Sequence, residues 1–242
     1  MKSIVIDIGN TRTKYAVFEN KKLIQTYMVD QLDADTINSM YENHQAEAVI
    51  LSSVVNVEES TLSQFKERFD IFLELSHSLK FPFTSIYKTP ETLGKDRVAA
   101  IAGGQALFPG TNLLIIDAGT AITFDLLTQK KVHEGGTISP GLSMRFKALN
   151  AFTNKLPLIH SRENSPLMGL TTEEAIRSGV QAGMRFEIDG YIKRLKRKYP
   201  GLKVILTGGD ANFFDKTLKN TIFVNLNLNF IGLNRILLYN AT

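Results

Sequence analysis

At about 150 residues per domain, a chain of 242 residues has room for roughly 1.6 domains, so one large or two small domains fit. Its 43% apolar and 21% charged residues exclude disorder, collagen and a simple coiled coil, and no apolar run nears the ~20 residues of a membrane span, the purest being residues 113–116. A net charge of 28 − 24 = +4 falls short of a nucleic-acid signature, and the absence of cysteine removes disulfides, thiolate nucleophiles and cysteine zinc sites together.

From the N-terminus, Met1-Lys2-Ser3-Ile4-Val5-Ile6-Asp7 puts an acid where a signal peptide still needs apolar length, so a soluble, cytoplasmic protein is expected. Residues 3–9, 13–18 and 22–28 predict three short strands, broken at Gly9-Asn10-Thr11 and Glu19-Asn20-Lys21. A helix over 34–43, a strand over 48–54, a helix over 58–69 and a strand over 71–75 follow. Residues 76–90 read as a loop with an extended piece at 84–87. The alanine-rich stretch 94–107 has helical spacing and ends at Pro109-Gly110.

After Gly110 the pattern starts again. At an offset of 110 residues, Ile4-Val5-Ile6-Asp7-Ile8-Gly9-Asn10-Thr11-Arg12-Thr13 lies against Leu114-Ile115-Ile116-Asp117-Ala118-Gly119-Thr120-Ala121-Ile122-Thr123. Each copy is an apolar strand ending in Asp-x-Gly-polar, then a second strand. The second half continues with a strand near 131–135, Gly136-Thr137-Ile138-Ser139-Pro140-Gly141 leading into a helix to about 151, and a helical stretch 172–198 that could split near Gly183 or Gly190. A strand at 204–206, Thr207-Gly208-Gly209-Asp210, a short helix, a strand at 222–224 and a helix at 230–238 complete it. Two α/β domains of similar plan are expected, at 1–110 and 111–242.

A glycine just after an aspartate in a hairpin turn lets backbone approach a ligand, and the neighbouring amides with Asn10, Thr11 and Lys14 could surround phosphate oxygens. Asp7 would then need a cation between itself and the phosphate, and Mg²⁺ suits that arrangement. The alternative is an Asx-type turn serving only local backbone donors. Recurrence of the turn at Asp117-Ala118-Gly119-Thr120 favours a phosphate clamp shared by both domains. Neither a P-loop nor Gly-x-Gly-x-x-Gly is present.

Gly94-Lys95-Asp96-Arg97 supplies an acid, a fork-shaped cation and a helix N-terminus in one place. Asp96 is either the helix N-cap or a base that accepts a proton from an attacking hydroxyl, with Arg97 holding a carboxylate or phosphate. His44, His77, His133 and His160 lack metal spacing and read as surface or satisfied histidines. Ser139 and Ser143 lie outside any nucleophile elbow. Glu173 and Glu174 read as first-turn acids, and the basic run Lys193–Lys198 as a solvated last helical turn without interleaved aromatics.

Taken together, Asp7-Ile8-Gly9-Asn10-Thr11, Gly94-Lys95-Asp96-Arg97, Asp117-Ala118-Gly119-Thr120-Ala121 and Gly135-Gly136-Thr137-Ile138-Ser139-Pro140-Gly141 resemble the type III pantothenate kinases in order and over nearly the whole chain. These belong to the superfamily of acetate and sugar kinases, heat-shock chaperones and actin. The resemblance implies two duplicated ribonuclease-H-like (actin-like ATPase) domains with an interdomain nucleotide cleft. It also implies ATP-dependent phosphorylation of pantothenate to 4'-phosphopantothenate, the first step of coenzyme A biosynthesis.

Carried over by position, the resemblance implies that Asp7, Ile8, Gly9, Asn10, Thr11, Arg12, Thr13 and Lys14 form the ATP phosphate loop, with Asp7 near Mg²⁺ and Thr120 a second nucleotide contact. Asp117 resembles the ligand of a required monovalent cation, K⁺ or NH₄⁺. Asp96 corresponds to the proton acceptor, and Tyr87, Gly94, Lys95, Asp96 and Arg97 to pantothenate contacts. Thr172, or its neighbour Thr171, corresponds to a threonine reaching substrate across a homodimer interface. No nucleic acid or membrane partner is implied. The rival readings are a non-catalytic transcription accessory regulator on the same fold, a sugar or acetate kinase whose large insertions this chain lacks, and a two-metal nuclease that would need more clustered carboxylates.

Overall fold

The computed structural model describes every residue except Asn10, Thr11, Arg12, Lys219 and Thr242, and divides the chain into two compact units, Met1–Pro109 with Asn227–Thr242, and Gly110–Leu226.

In the first unit, β1 (Lys2–Ile8), β2 (Thr13–Glu19) and β3 (Lys22–Val29) form an antiparallel meander, followed by α1 (Ala34–His44), β4 (Ala48–Ser53), α2 (Glu59–Arg68) and β5 (Ile71–Glu74). A two-residue strand β6 (Thr84–Ser85) and a 3₁₀ turn at Pro90–Thr92 precede α3 (Lys95–Leu107). The sheet runs β3-β2-β1-β4-β5, with β1 antiparallel to β2 and parallel to β4. Ile4, Val5 and Ile6 are all fully buried, as a central strand covered on both faces requires. One face packs on α1 and α2 through Ile37, Met40 and Phe65. Asp33 starts α1 as its N-cap, accepting from the Thr36 amide at 2.9 Å.

The second unit repeats this plan. β7 (Leu113–Ala118), β8 (Ala121–Leu127) and β9 (Val132–Pro140) form the meander, then come α4 (Leu142–Ala151), α5 (Thr172–Lys198), β10 (Lys203–Thr207), α6 (Ala211–Asp215) and β11 (Phe223–Val224). Its own strands run β9-β8-β7-β10-β11, which is the first order with every member exchanged for its counterpart. The duplication read from the two Asp-x-Gly turns therefore extends to whole sheets.

Three expectations need correction. The closing helix α7 (Leu228–Asn240) belongs to the first unit, where it packs on α3, β1 and β4, so residues 111–242 are not one domain. The packing explains this: Gly232 sits so close to α3 that an added Cβ would overlap the Ala99 carbonyl, and Gly103 makes the reciprocal approach to Leu228. Asn234, 2% exposed, completes the join by accepting from the Ser3 hydroxyl at 2.8 Å and donating to the Asn20 carbonyl at 2.8 Å. Second, α5 is one helix of 27 residues and does not split at Gly183 or Gly190. Each glycine costs only about 1 kcal/mol of helix propensity, and buried Ile176, Val180, Met184, Ile188 and Ile192 repeat at i, i+4 along one core stripe. Third, the strand expected near 131–135 is longer: β9 runs on through residues 136–140, paired with β8, up to the start of α4.

Candidate active site

Asp7 is the penultimate residue of β1, register partner of Lys14 on β2 and of Ser52 on parallel β4. It therefore lies at the carboxyl ends of parallel strands, where open α/β sheets place ligands. Burial raises its carboxyl above the usual carboxylate range, the negative charge of Asp96 raises it further, and Lys14 partly offsets both. Two carboxylates thus share one electrostatic environment in the first unit, as a cation-dependent phosphate site would need.

Asp96 is in the first turn of α3 but does not cap it. The N-cap position is held by Gly94, whose missing Cβ leaves room for the Asp96 carboxylate to fold back. Asp96 accepts the Arg97 amide at 2.8 Å and remains exposed, so the N-cap alternative is set aside and the carboxylate can reach solvent or ligand. Arg97 is 4% exposed, with its guanidinium 5.4 Å from the Tyr87 ring centroid. Tyr87, Gly94, Lys95, Asp96 and Arg97, the residues expected to contact substrate, lie at this one end of α3, with Lys95 held 3.8 Å from Glu74.

Among the residues expected to form the phosphate loop, Asp7 and Lys14 stand side by side and Lys14 is exposed. Ile8 and Thr13 are buried at 9% and 7% exposure, so any contact they make to ligand is through backbone. Asn10, Thr11 and Arg12, also expected in this loop, lie outside the described residues.

In the second unit the turn is tied by the Gly119 amide to the Ala121 carbonyl at 3.1 Å and by the Gly141 amide to the Thr120 carbonyl at 3.0 Å. Thr120 is exposed beside a cavity of about 460 Å³ that also meets Gly119, Ser143, Lys147, Gly209 and Asp210. Burial raises the Asp210 carboxyl, while its amide donates to the Ala118 carbonyl at 2.9 Å. Sequence reasoning left Lys147 and Asp210 unassigned. The internal repeat carries no signal for Asp210: Asp117 pairs with Thr207 as Asp7 pairs with Ser52, and the first-unit residue that corresponds to Asp210 is Val55.

Thr171 is spent as the N-cap of α5, accepting from the Glu174 amide at 3.2 Å, whereas Thr172 is its exposed first residue. Arg145 donates to Ser139 Oγ at 3.0 Å and pairs with Glu187, which gives Ser139 a structural role. His133 is buried against Asp125 at 2.9 Å, a satisfied core histidine. Among the described residues, no three His, Asp or Glu side chains cluster as a metal cage.

The sequence pattern of the type III pantothenate kinases matches residues 3–194. A type III pantothenate kinase of Phocaeicola vulgatus is 42% identical over 238 residues, 98% of each chain. Among solved structures, a Campylobacter jejuni protein described as a conserved Baf family transcriptional activator superposes with a TM-score of 0.66 at 22% identity, covering 98% of each chain. A ROK family glucokinase of Streptomyces griseus, in complex with glucose and AMPPNP, gives 0.51 at 13% identity, covering 100% of this chain and 99% of that one. Those two likenesses speak for the fold, the two-domain nucleotide-binding fold of the actin-like ATPases, and the sequence match settles the family: the chain belongs to the type III pantothenate kinases.

Proposed function

We propose that the protein transfers the γ-phosphoryl group of ATP to the primary hydroxyl of pantothenate, giving 4'-phosphopantothenate for coenzyme A synthesis. The observation that carries this reading is the electrostatic coupling of Asp7 and Asp96 in one unit, with Arg97 and Tyr87 beside Asp96. Asp96 accepts the proton of the attacking hydroxyl, and its exposure and first-turn position support that role. Arg97 holds the pantothenate carboxylate, its planar fork kept in orientation by Tyr87. Lys14, paired in register with Asp7, faces the phosphates.

A desolvated Asp7 carboxylate, disfavoured by burial and by Asp96, fits a divalent cation, and Mg²⁺ bound there would neutralise charge on the transferring group. With no cage of three ligating side chains among the described residues, its remaining positions fall to phosphate and water. Asp117 fits a monovalent cation, K⁺ or NH₄⁺. Its carboxylate lies against Gly119 and Gly208, a cradle that a Cβ would fill, and backbone carbonyls are the hard oxygen donors close by. Thr120, Lys147 and Asp210 supply nucleotide contacts in the second unit.

A homodimer in which Thr172 serves the partner's substrate site is supported by exposed Met168 and Leu170, at 80% and 95%, just before it. No helix of the described residues is long and apolar enough to cross a membrane, and a cytoplasmic location fits the lack of cysteine. The test is a coupled phosphorylation assay with pantothenate, Mg²⁺ and ATP, with and without K⁺. Pantothenate-dependent ADP release that needs both cations is the expected result, and an intact fold with no turnover would point to the regulator reading.

A further inference from the structure

Helix α4 stands between two different surfaces of the second unit. Ser143, Met144 and Lys147 on one side meet the cavity beside Thr120, while Arg145, Ala148 and Leu149 on the other side face a groove against Ile176 and Val180 of α5. Leu142 and Phe146 anchor the helix in the core. Apolar packing of that kind is non-directional, so it sets the depth of α4 without fixing where the N-terminus of the helix points.

β9 delivers that N-terminus and ends at Pro140, the register partner of Ala121, which has no N–H to bond a neighbour. The N-cap of α4 is Gly141, which brings no side chain to the free amides of the first turn. Gly141 nevertheless backs the turn at Thr120. Its amide donates to the Thr120 carbonyl at 3.0 Å, and a Cβ there would lie 2.3 Å from the Gly119 carbonyl oxygen and 2.4 Å from that of Thr120. With contact this close, a shift of residues 139–141 is passed on to Thr120.

Arg145 supplies the restraint that this segment lacks. Its Nε donates to the Pro140 carbonyl at 2.7 Å, and Nη2 donates to Ser139 Oγ at 3.0 Å and pairs with Glu187 of α5. One guanidinium thus ties the end of β9, the first turn of α4 and the long helix α5 together, in fixed directions that a point charge does not give. The side chains of Arg145 and Glu187 are 21% and 22% exposed, so the pair is less screened than one on the open surface.

We infer that Arg145 is a positioning residue for the nucleotide: by joining Pro140, Ser139 and Glu187 it holds Gly141 against Thr120 and keeps the Thr120 turn in the geometry that meets ATP. This rests on the reading of Thr120 as a nucleotide contact. The effect falls on ATP and not on pantothenate, whose expected contacts Tyr87, Asp96 and Arg97 are in the first unit.

Steady-state kinetics with each substrate varied in turn are paired with calorimetric titration of MgATP into the full chain without pantothenate. Arg145→Met is expected to raise KM for ATP and to weaken ATP binding about tenfold, the order of cost for loosening a group that orients a contact residue, with KM for pantothenate as in the parent. Loss of folded protein alone lowers the active fraction and moves neither KM. Arg145→Lys keeps a charge opposite Glu187 but cannot hold Pro140 and Ser139 together, so it melts near the parent's temperature and still raises KM for ATP several-fold. The inference is overturned if Arg145→Met binds and uses ATP as the parent does, if both KM values rise together, or if Arg145→Lys matches the parent in KM for ATP. A parent that neither turns over nor binds MgATP overturns the kinase reading and this inference with it. An active parent beside an unaffected Arg145→Met overturns this inference alone.

Discussion

Gly208 faces Asp117 so closely that a Cβ at position 208 would overlap the Asp117 carboxylate and come within 2.5 Å of the Ala118 carbonyl carbon, and its φ of +94° is one that glycine alone adopts readily. The second acid-bearing turn is therefore shaped by a residue 91 positions further along the chain. Gly208→Ala is expected to destabilise the protein by about 1–3 kcal/mol and to cut turnover more than that loss of folded protein explains. Urea unfolding alongside the kinase assay separates the two effects. Unchanged K⁺ dependence in the folded fraction would deny Asp117 its proposed cation.

Asp96 sits at the exposed start of α3, where it accepts a hydrogen bond from the amide of Arg97. Asp96→Asn keeps the shape and that acceptor while removing the base. Turnover is expected to fall about 10²- to 10⁴-fold with an unchanged far-ultraviolet dichroism spectrum. Activity near that of the parent would show that the carboxylate serves only the helix.

For Arg97, the discriminating change is Arg97→Lys, which keeps the charge but loses the planar fork stacked on Tyr87. KM for pantothenate is expected to rise about tenfold while kcat and KM for ATP stay close to the parent's, as for an interaction made equally in ground and transition states. A fall confined to kcat would move Arg97 from substrate anchoring to the transferring group.

Asp7 links the site to pH. Burial, then Asp96, raise its folded-state carboxyl above the unfolded value of 3.8, so the folded protein binds the proton more tightly than the unfolded chain. Stability from this group is full below the unfolded value and is lost as pH climbs to the folded one. Asp7→Asn should then raise the melting temperature at pH 7 relative to the parent, with the gain shrinking toward pH 4, while turnover is abolished. A melting temperature lowered by Asp7→Asn at pH 7 contradicts the proposed desolvated carboxylate.

Much of this arrangement was legible because it is local. Asp7-Ile8-Gly9 and Asp117-Ala118-Gly119 announce a turn, and an offset comparison shows them as copies of one unit. What escaped depends on distant packing. Nothing near Phe230 says that α7 crosses back to the first unit, because that follows from the mutual fit of Gly232 with Ala99 and of Gly103 with Leu228. Lys147 and Asp210 share a cavity with Thr120 although no short motif joins them. The glycines of α5 suggested a break, but the core stripe from Ile176 to Ile192 outweighs their propensity.

The buried hydrogen-bonded pair His133 and Asp125, 0% and 1% exposed and 2.9 Å apart, tests a different principle, since a buried polar pair is weak evidence of stability until it is broken. The residues lie on adjacent strands β9 and β8, beside the register shift between Asp125 and Leu127, so their bond spans an irregular part of the ladder. Asp125→Ala leaves the imidazole without its carboxylate and opens a cavity, and is expected to cost about 3–5 kcal/mol. The double change Asp125→Leu with His133→Leu removes both polar groups and should cost markedly less than the single one. Urea midpoints of the parent and of the two variants decide the matter: a double variant as unstable as the single would mean that the pair's further polar contacts, and not the pair itself, hold the β8–β9 ladder together.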